Sequence, residues 1–185
     1  MGVNRHQDYA YIGNAVPNNL HWLDVKKMRD AGFRIIRSAH YPQDPAFMDA
    51  CDELGMFIIV ATPGWQYWNP EPVFEERILS DIRNMVRRDR NHPSVLLWEP
   101  VLNETAFPES FAQNAYRATH EEYPAPGCYA AIDDKSKGAM GYDVVYTAPK
   151  NEAFYRNAGK SCFTREYGDL SLIHISEPTR QEAIS

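Results

Sequence analysis

The chain has 185 residues, enough for one domain of ordinary size, and 44% of them are hydrophobic, as in a globular protein. Nineteen Lys and Arg against 25 Asp and Glu give a formal charge of −6 with no basic block, which argues against nucleic acid or an anionic membrane as the partner. Cys51, Cys128 and Cys162 are odd in number and lack Cys-x-x-Cys spacing, and the six His form no metal-type cluster. Neither a disulfide framework nor a metal is therefore inferred, and no cofactor is expected.

In chain order, Asn19 is placed to cap a helix through Asp30 and Ala31, with Gly32 stopping it and Phe33 to Ile36 following as a strand. Asp44-Pro45 opens the next helix with a cap and a first-turn proline. Phe47, Cys51 and Leu54 recur at helical spacing before Gly55, and Met56 to Ala61 reads as a buried strand. Pro72 begins a longer helix with Phe74, Ile78, Ile82 and Met85-Val86 as its apolar stripe, and Arg87 to Arg90 reads as a solvated charge run at its end.

Val95 to Trp98 is a short apolar run suited to a strand covered on both faces, and Asn103-Glu104 sits where that strand meets water. Ser110 to Tyr123 reads as a helix, Cys128 to Ile132 and Tyr142 to Thr147 as strands, and Asn151 to Ala158 as a short helix. Ser161 to Arg165 is then the strand that delivers Glu166. Strand and helix alternate throughout, which makes the fold α/β with a parallel sheet. Periodicity does not choose between a barrel and an open sheet. Arg5-His6, His40, Glu104 and Glu166 all fall just past strand ends, as on the rim of a (β/α)8 barrel.

The stretch Arg90 to Glu104 resembles the acid/base signature of glycoside hydrolase family 2, the β-galactosidase, β-glucuronidase and β-mannosidase group, in which a Trp-containing strand ends in Asn-Glu. Gly2-Val3-Asn4-Arg5-His6 resembles the segment closing barrel strand one, and Ile36 to Pro42 the one closing strand two. Thr164-Arg165-Glu166-Tyr167-Gly168 resembles the nucleophile strand. The resemblance implies a (β/α)8 TIM barrel that is incomplete, missing the first strand or most of it and the last repeats. It places residues 1–169 in a partial glycosidase barrel domain, with the family's β-sandwich domains expected before Met1. Leu170 to Arg180 resembles a translated sequencing adapter, so 170–185 is expected to be a non-native tail. A barrel of this type needs about 250 residues, and without its eighth strand it should be poorly stable alone.

The same resemblance implies a retaining exo-β-glycosidase acting on carbohydrate. Glu104 would be the general acid/base and Glu166 the nucleophile, two carboxyl groups that the chemistry needs roughly 5 to 5.5 Å apart. Glu104 is expected to be held protonated by burial and a neighbouring negative charge, and Glu166 to stay ionised beside Arg37. Asn103 would bond the sugar's 2-hydroxyl, and His6 and His40 would donate to other hydroxyls or to the leaving group. Trp98 would wall the pocket, Trp65 and Trp68 would offer stacking faces, and Tyr146 would contact the nucleophile. Glu99 precedes Pro100 and is set aside as an acid, and Asp133-Asp134 reads as a polar turn. β-Galactoside is the first choice of substrate. β-Glucuronide and β-mannoside are the alternatives, because Ala61 to Trp65 replaces the acidic segment that the family's β-galactosidases often carry after strand three. A carbohydrate-binding domain without turnover is the reading from another class.

Overall fold

A computed structural model describes residues 1–148 and 151–166, so Tyr167, Gly168 and the adapter-like segment 170–185 lie outside the described residues. In chain order the elements are β1 (Gly2–Arg5), α1 (Asn18–Asp30), β2 (Ile35–Ser38), α2 (Pro45–Leu54), β3 (Phe57–Ala61), α3 (Pro72–Asp89) and β4 (Val95–Glu99). They continue with α4 (Glu109–Glu122), β5 (Ala131–Asp133), a 3-10 turn (Ala139–Gly141), β6 (Val144–Tyr146), α5 (Glu152–Asn157) and β7 (Ser161–Phe163).

Local chemistry sets several boundaries. Asp44 caps α2 by accepting from the Ala46 amide at 2.8 Å, and Pro45 fills the first turn, where its missing N–H costs nothing. Gly55 closes the same helix at φ 66°, a left-handed conformation that a Cβ would oppose. α1 departs from expectation, since Pro17 rather than Asn19 precedes its first turn and no side chain caps it. The arginines of the run Arg87 to Arg90 are exposed, as expected of a solvated face, but Arg87 and Arg90 also make contacts across to the next helix. Arg87 grips Glu122 of α4 at 2.5 and 2.7 Å, Arg90 bonds the Glu122 carbonyl, and Asp89 is buried against Arg88. The run therefore clamps α3 to α4.

All strand pairings between named strands are parallel. β1 to β4 form one sheet in sequence order, and β5 to β7 form a second. The Trp98 amide donates to the Tyr129 carbonyl at 2.9 Å, which joins the two sheets into one wall. Gly2 to Arg5 is a strand in its own right, pairing with Ile35 to Ser38 at four positions, so more of strand one is present than the resemblance implied. Among the described residues β1 and β7 are not paired to each other, and the barrel is not closed. A cleft of about 420 Å³ lies between them, lined by Val3, Asn4, Ile35, Arg37, Phe163 and Arg165 among others.

The alternation of strand side chains divides the core in two. Ile36, Ile58, Val60 and Trp98 face the helices and pack with Val25, Phe47, Met48, Met85 and Val86. Ile35, Ile59, Leu97, Ala131, Val144, Tyr146 and Phe163 face the other way, into the lumen. One step along the same face, towards the carboxyl ends of the strands, the lumen turns polar with Arg37 and Glu99. That switch from apolar to charged layer builds the site.

Candidate active site

Arg37 is the centre of the polar layer. It is the second inward residue of β2, and both its guanidinium edges are used. Nε donates to Glu99 Oε2 at 2.7 Å and Nη2 to Glu99 Oε1 at 2.5 Å, while Nη2 also reaches Asn103 Oδ1 at 3.1 Å. Nη1 donates to Glu166 Oε1 at 2.8 Å and to Asn4 Oδ1 at 3.4 Å. The Arg37 and Glu99 side chains are 3% and 1% exposed, against 21% for Glu166. Burial works against the Arg37 charge, but the Glu99 carboxylate outweighs it and holds the guanidinium above the usual arginine range.

Asn103 takes a second guanidinium, Arg165 Nη1, at 2.7 Å. Two cationic donors on one atom identify it as the amide oxygen, since an NH2 group cannot accept. The Asn103 Nδ2 is then buried with no partner among the described residues. Arg165 also bonds Asp133, so Asp133 belongs to the network rather than to a simple polar turn. Burial pushes the Asp133 carboxyl up despite that partner.

Glu104 follows Asn103 at φ 46°, a left-handed backbone that turns its side chain out of the strand line. It is exposed, and its carboxylate accepts from the Trp65 indole at 3.2 Å and from the Gln66 amide at 2.7 Å. Gln66 and then Trp65 hold its pKa below the ordinary carboxylate value. This reverses the expectation of a protonated, buried Glu104, because donors aimed at a carboxylate favour its charge and little burial opposes them. A cavity of about 630 Å³ opens beside it, lined by Glu104, Phe107, Asp133, Lys135, Lys137 and Arg165 among others.

The remaining candidates divide. His6 and His40 meet edge to face with ring centres 5.4 Å apart, and His40 lies 5.4 Å from the ring of Trp65, which is 53% exposed. Burial, and next the Arg37 charge, push His40 down to about 4, so it is neutral near pH 7. Tyr146 is buried in the lumen with Arg37 and Arg165 each within 6 Å of its ring, and its hydroxyl has no hydrogen-bond partner among the described residues. Burial raises its phenol well above the usual value, with the Glu99 charge adding to it.

Two expected pocket residues are turned away. Trp98 is 1% exposed and packs on the helix side, because it alternates with the inward Leu97 and Glu99 on β4. Trp68 packs edge-on against Phe74 and lies 4.8 Å from Phe111 by ring centres, as core rather than platform. Arg5, too, leaves the rim. It is buried on the α1 and α2 side against Asp24 and Gln43, with its guanidinium 4.2 Å above Phe47. Glu99, set aside as an acid, and Arg165, quoted only as part of the nucleophile motif, prove to be parts of this network, and a charged residue two places after the inward Leu97 was the signal that Glu99 faces a buried partner.

The fold and the site together define a partial (β/α)8 barrel with its candidate acids gathered at the carboxyl ends of the strands. Residues 1–125 match the family described as glycosyl hydrolases family 2, TIM barrel domain, and the chain belongs to that family. It is 38% identical over 125 residues to a β-galactosidase of Thermoanaerobacterium thermosulfurigenes, a match covering 66% of this chain and 17% of that protein. Among solved structures, a β-glycosidase from Bacteroides vulgatus superposes with a TM-score of 0.71 at 27% identity, covering 90% of this chain and 23% of the other. A family 2 β-galacturonidase from Eisenbergiella tayi, bound to galacturonate, superposes with a TM-score of 0.72 at 26% identity, covering 88% and 34%. The chain spans about a sixth of the length of the first curated relatives it matches.

Proposed function

We propose that the protein carrying this chain is a retaining exo-β-glycosidase that hydrolyses terminal β-glycosides, β-galactosides first, through a covalent glycosyl-enzyme intermediate. The observation that carries the reading is that one guanidinium, Arg37, touches both Glu166 and Asn103, the residue before Glu104. This supports placing Glu166 and the turn that carries Glu104 on one rim, with the Glu104 carboxylate itself held by Trp65 and Gln66.

In the first half of the reaction the Glu166 carboxylate, paired with Arg37, attacks the anomeric carbon while Glu104 protonates the departing oxygen. In the second half Glu104 takes a proton from water, which then releases the sugar from Glu166. The Trp65 and Gln66 donors hold Glu104 in the ionised form that the second half needs. Entry of a sugar against Trp65 would displace those donors and favour the proton that the first half needs. The Asn103 Nδ2, unpaired among the described residues, supports a hydrogen bond to the substrate's 2-hydroxyl, and neutral His40, with the His6 ring edge-on to it, supports contacts to other hydroxyls. The cavity beside Glu104 suits the leaving group. A β-glucuronide or β-mannoside would use the same pair of acids.

In the full-length protein carrying this chain, Glu166→Ala should abolish turnover of aryl β-glycosides. Glu104→Ala should slow it, least for substrates with good leaving groups, which need little protonation. Wild-type rates in both variants would sink the assignment. Saturable sugar binding without hydrolysis by the unsubstituted protein would favour a carbohydrate-binding domain instead.

A further inference from the structure

Glu99 is an acid at the end of a strand at the heart of the site, yet it cannot be a proton donor to substrate. Both its oxygens are held by Arg37, its side chain is 1% exposed, and it does not line the cavity beside Glu104. We propose that Glu99 is a positioning residue, which grips the Nε–Nη2 edge of Arg37 and so aims Nη1 at the carboxylate of Glu166. The proposal rests on the glycosidase reading of the site.

A guanidinium is planar, with its donors in a fixed fork, so a two-point contact fixes its plane and its rotation together. The contacts divide accordingly. Glu99 takes one whole edge, and the other edge is left with Nη1 pointing to Glu166 at 2.8 Å. The other contacts of Arg37, to Glu166, Asn4 and Asn103, each hold one nitrogen, and none of them takes two at once. The anchored end is also the deep end, at 1% exposure against 21% at Glu166, so the nucleophile meets the guanidinium where the site opens. On β3, between the two strands, Ile59 is in register with Arg37 and Ala61 with Glu99, so the smaller of the two side chains lies beside the carboxylate end of the pair. Glu99 further balances the Arg37 charge in a site where Arg165 Nη1 stands 3.8 Å from it.

The test uses Glu99→Gln, Arg37→Gln and the double variant in the full-length protein, with the Arg37 Nε–H resonance followed by NMR. At Glu99 the Gln side chain keeps size and polarity, so a cooperative thermal transition is expected of Glu99→Gln, and each variant is compared only where its own transition shows it folded. Glu99→Gln should lower kcat by about tenfold or more while leaving KM within about twofold, since it disturbs the nucleophile rather than sugar contacts. In the Arg37→Gln background the same change should cost no more than about twofold, because Glu99 acts through Arg37. The Arg37 Nε–H signal, sharp in the parent, should broaden in Glu99→Gln. A folded Glu99→Gln protein with unchanged kcat, a loss of equal size with and without Arg37, or an unaltered Arg37 signal would each overturn the proposal. If the unsubstituted protein turned over no aryl β-glycoside, the glycosidase reading would fall, and the Arg37 signal would still decide whether Glu99 holds the guanidinium.

Discussion

The Glu104 carboxylate is held ionised by two neutral donors on the loop after β3, the Gln66 amide and the Trp65 indole. Removing the nearer donor should release it. We expect Gln66→Ala to raise the Glu104 titration midpoint, read by carbon NMR of its carboxyl group, and a midpoint that stays or falls would discount Gln66 as the cause. The stability consequence has a definite sign. A carboxyl whose folded pKa is depressed contributes stability that is present above its unfolded value, about 4.3, and lost as pH falls through the folded one. Denaturation of the Gln66→Ala variant should therefore depend less on pH across that acid window. At this scale the motifs put forward Arg37, Asn103, Glu104 and Glu166 as candidates, because such motifs are local in sequence. They did not show the pairing of Glu99 or Arg165, whose partners come from distant parts of the chain.

The loops that end β3 and β4 shape the rim together. The Gln66 backbone N–H donates to the Asn103 carbonyl at 3.1 Å, and Trp65 bridges to Asn103 in parallel register. Gly64 permits this approach. Its φ is 130°, and a Cβ there would lie 2.6 Å from Leu102 Cδ2. Gly64→Ala should therefore combine backbone strain with overpacking and cost about 1 to 3 kcal/mol in chemical denaturation. Turnover should fall more than the remaining folded fraction explains, since the loop must move away from Asn103 and Glu104. Unchanged stability and turnover would show that the loop does not depend on this contact. The alternation of helix and strand was legible from apolar periodicity, including the Asp44 cap and the Pro72 start of α3. The clamp between the arginine run and Glu122 was not, because it joins two helices rather than repeating within one.

Across the whole molecule the seven strands form a curved parallel wall whose outer members, β1 and β7, each have one strand partner among the described residues. Backbone amides on such edges exchange more readily than those paired on both sides. In the isolated 185-residue chain, amides of β1 and β7 should exchange well before those of β3, where Ile58, Ile59 and Val60 are wholly buried. Equal protection in hydrogen exchange would mean that the edges are covered. The sequence by itself determined the α/β alternation and the family, and it put Glu104 and Glu166 forward as candidate acids, because apolar period, caps and short motifs are properties of neighbouring residues. Only the tertiary structure decided that Glu99 shares Arg37 with Glu166, that Trp98 faces the helices, and that Glu104 is held ionised. Those outcomes depend on which face each strand turns to the lumen and which distant strand lies beside it, and both are set by packing.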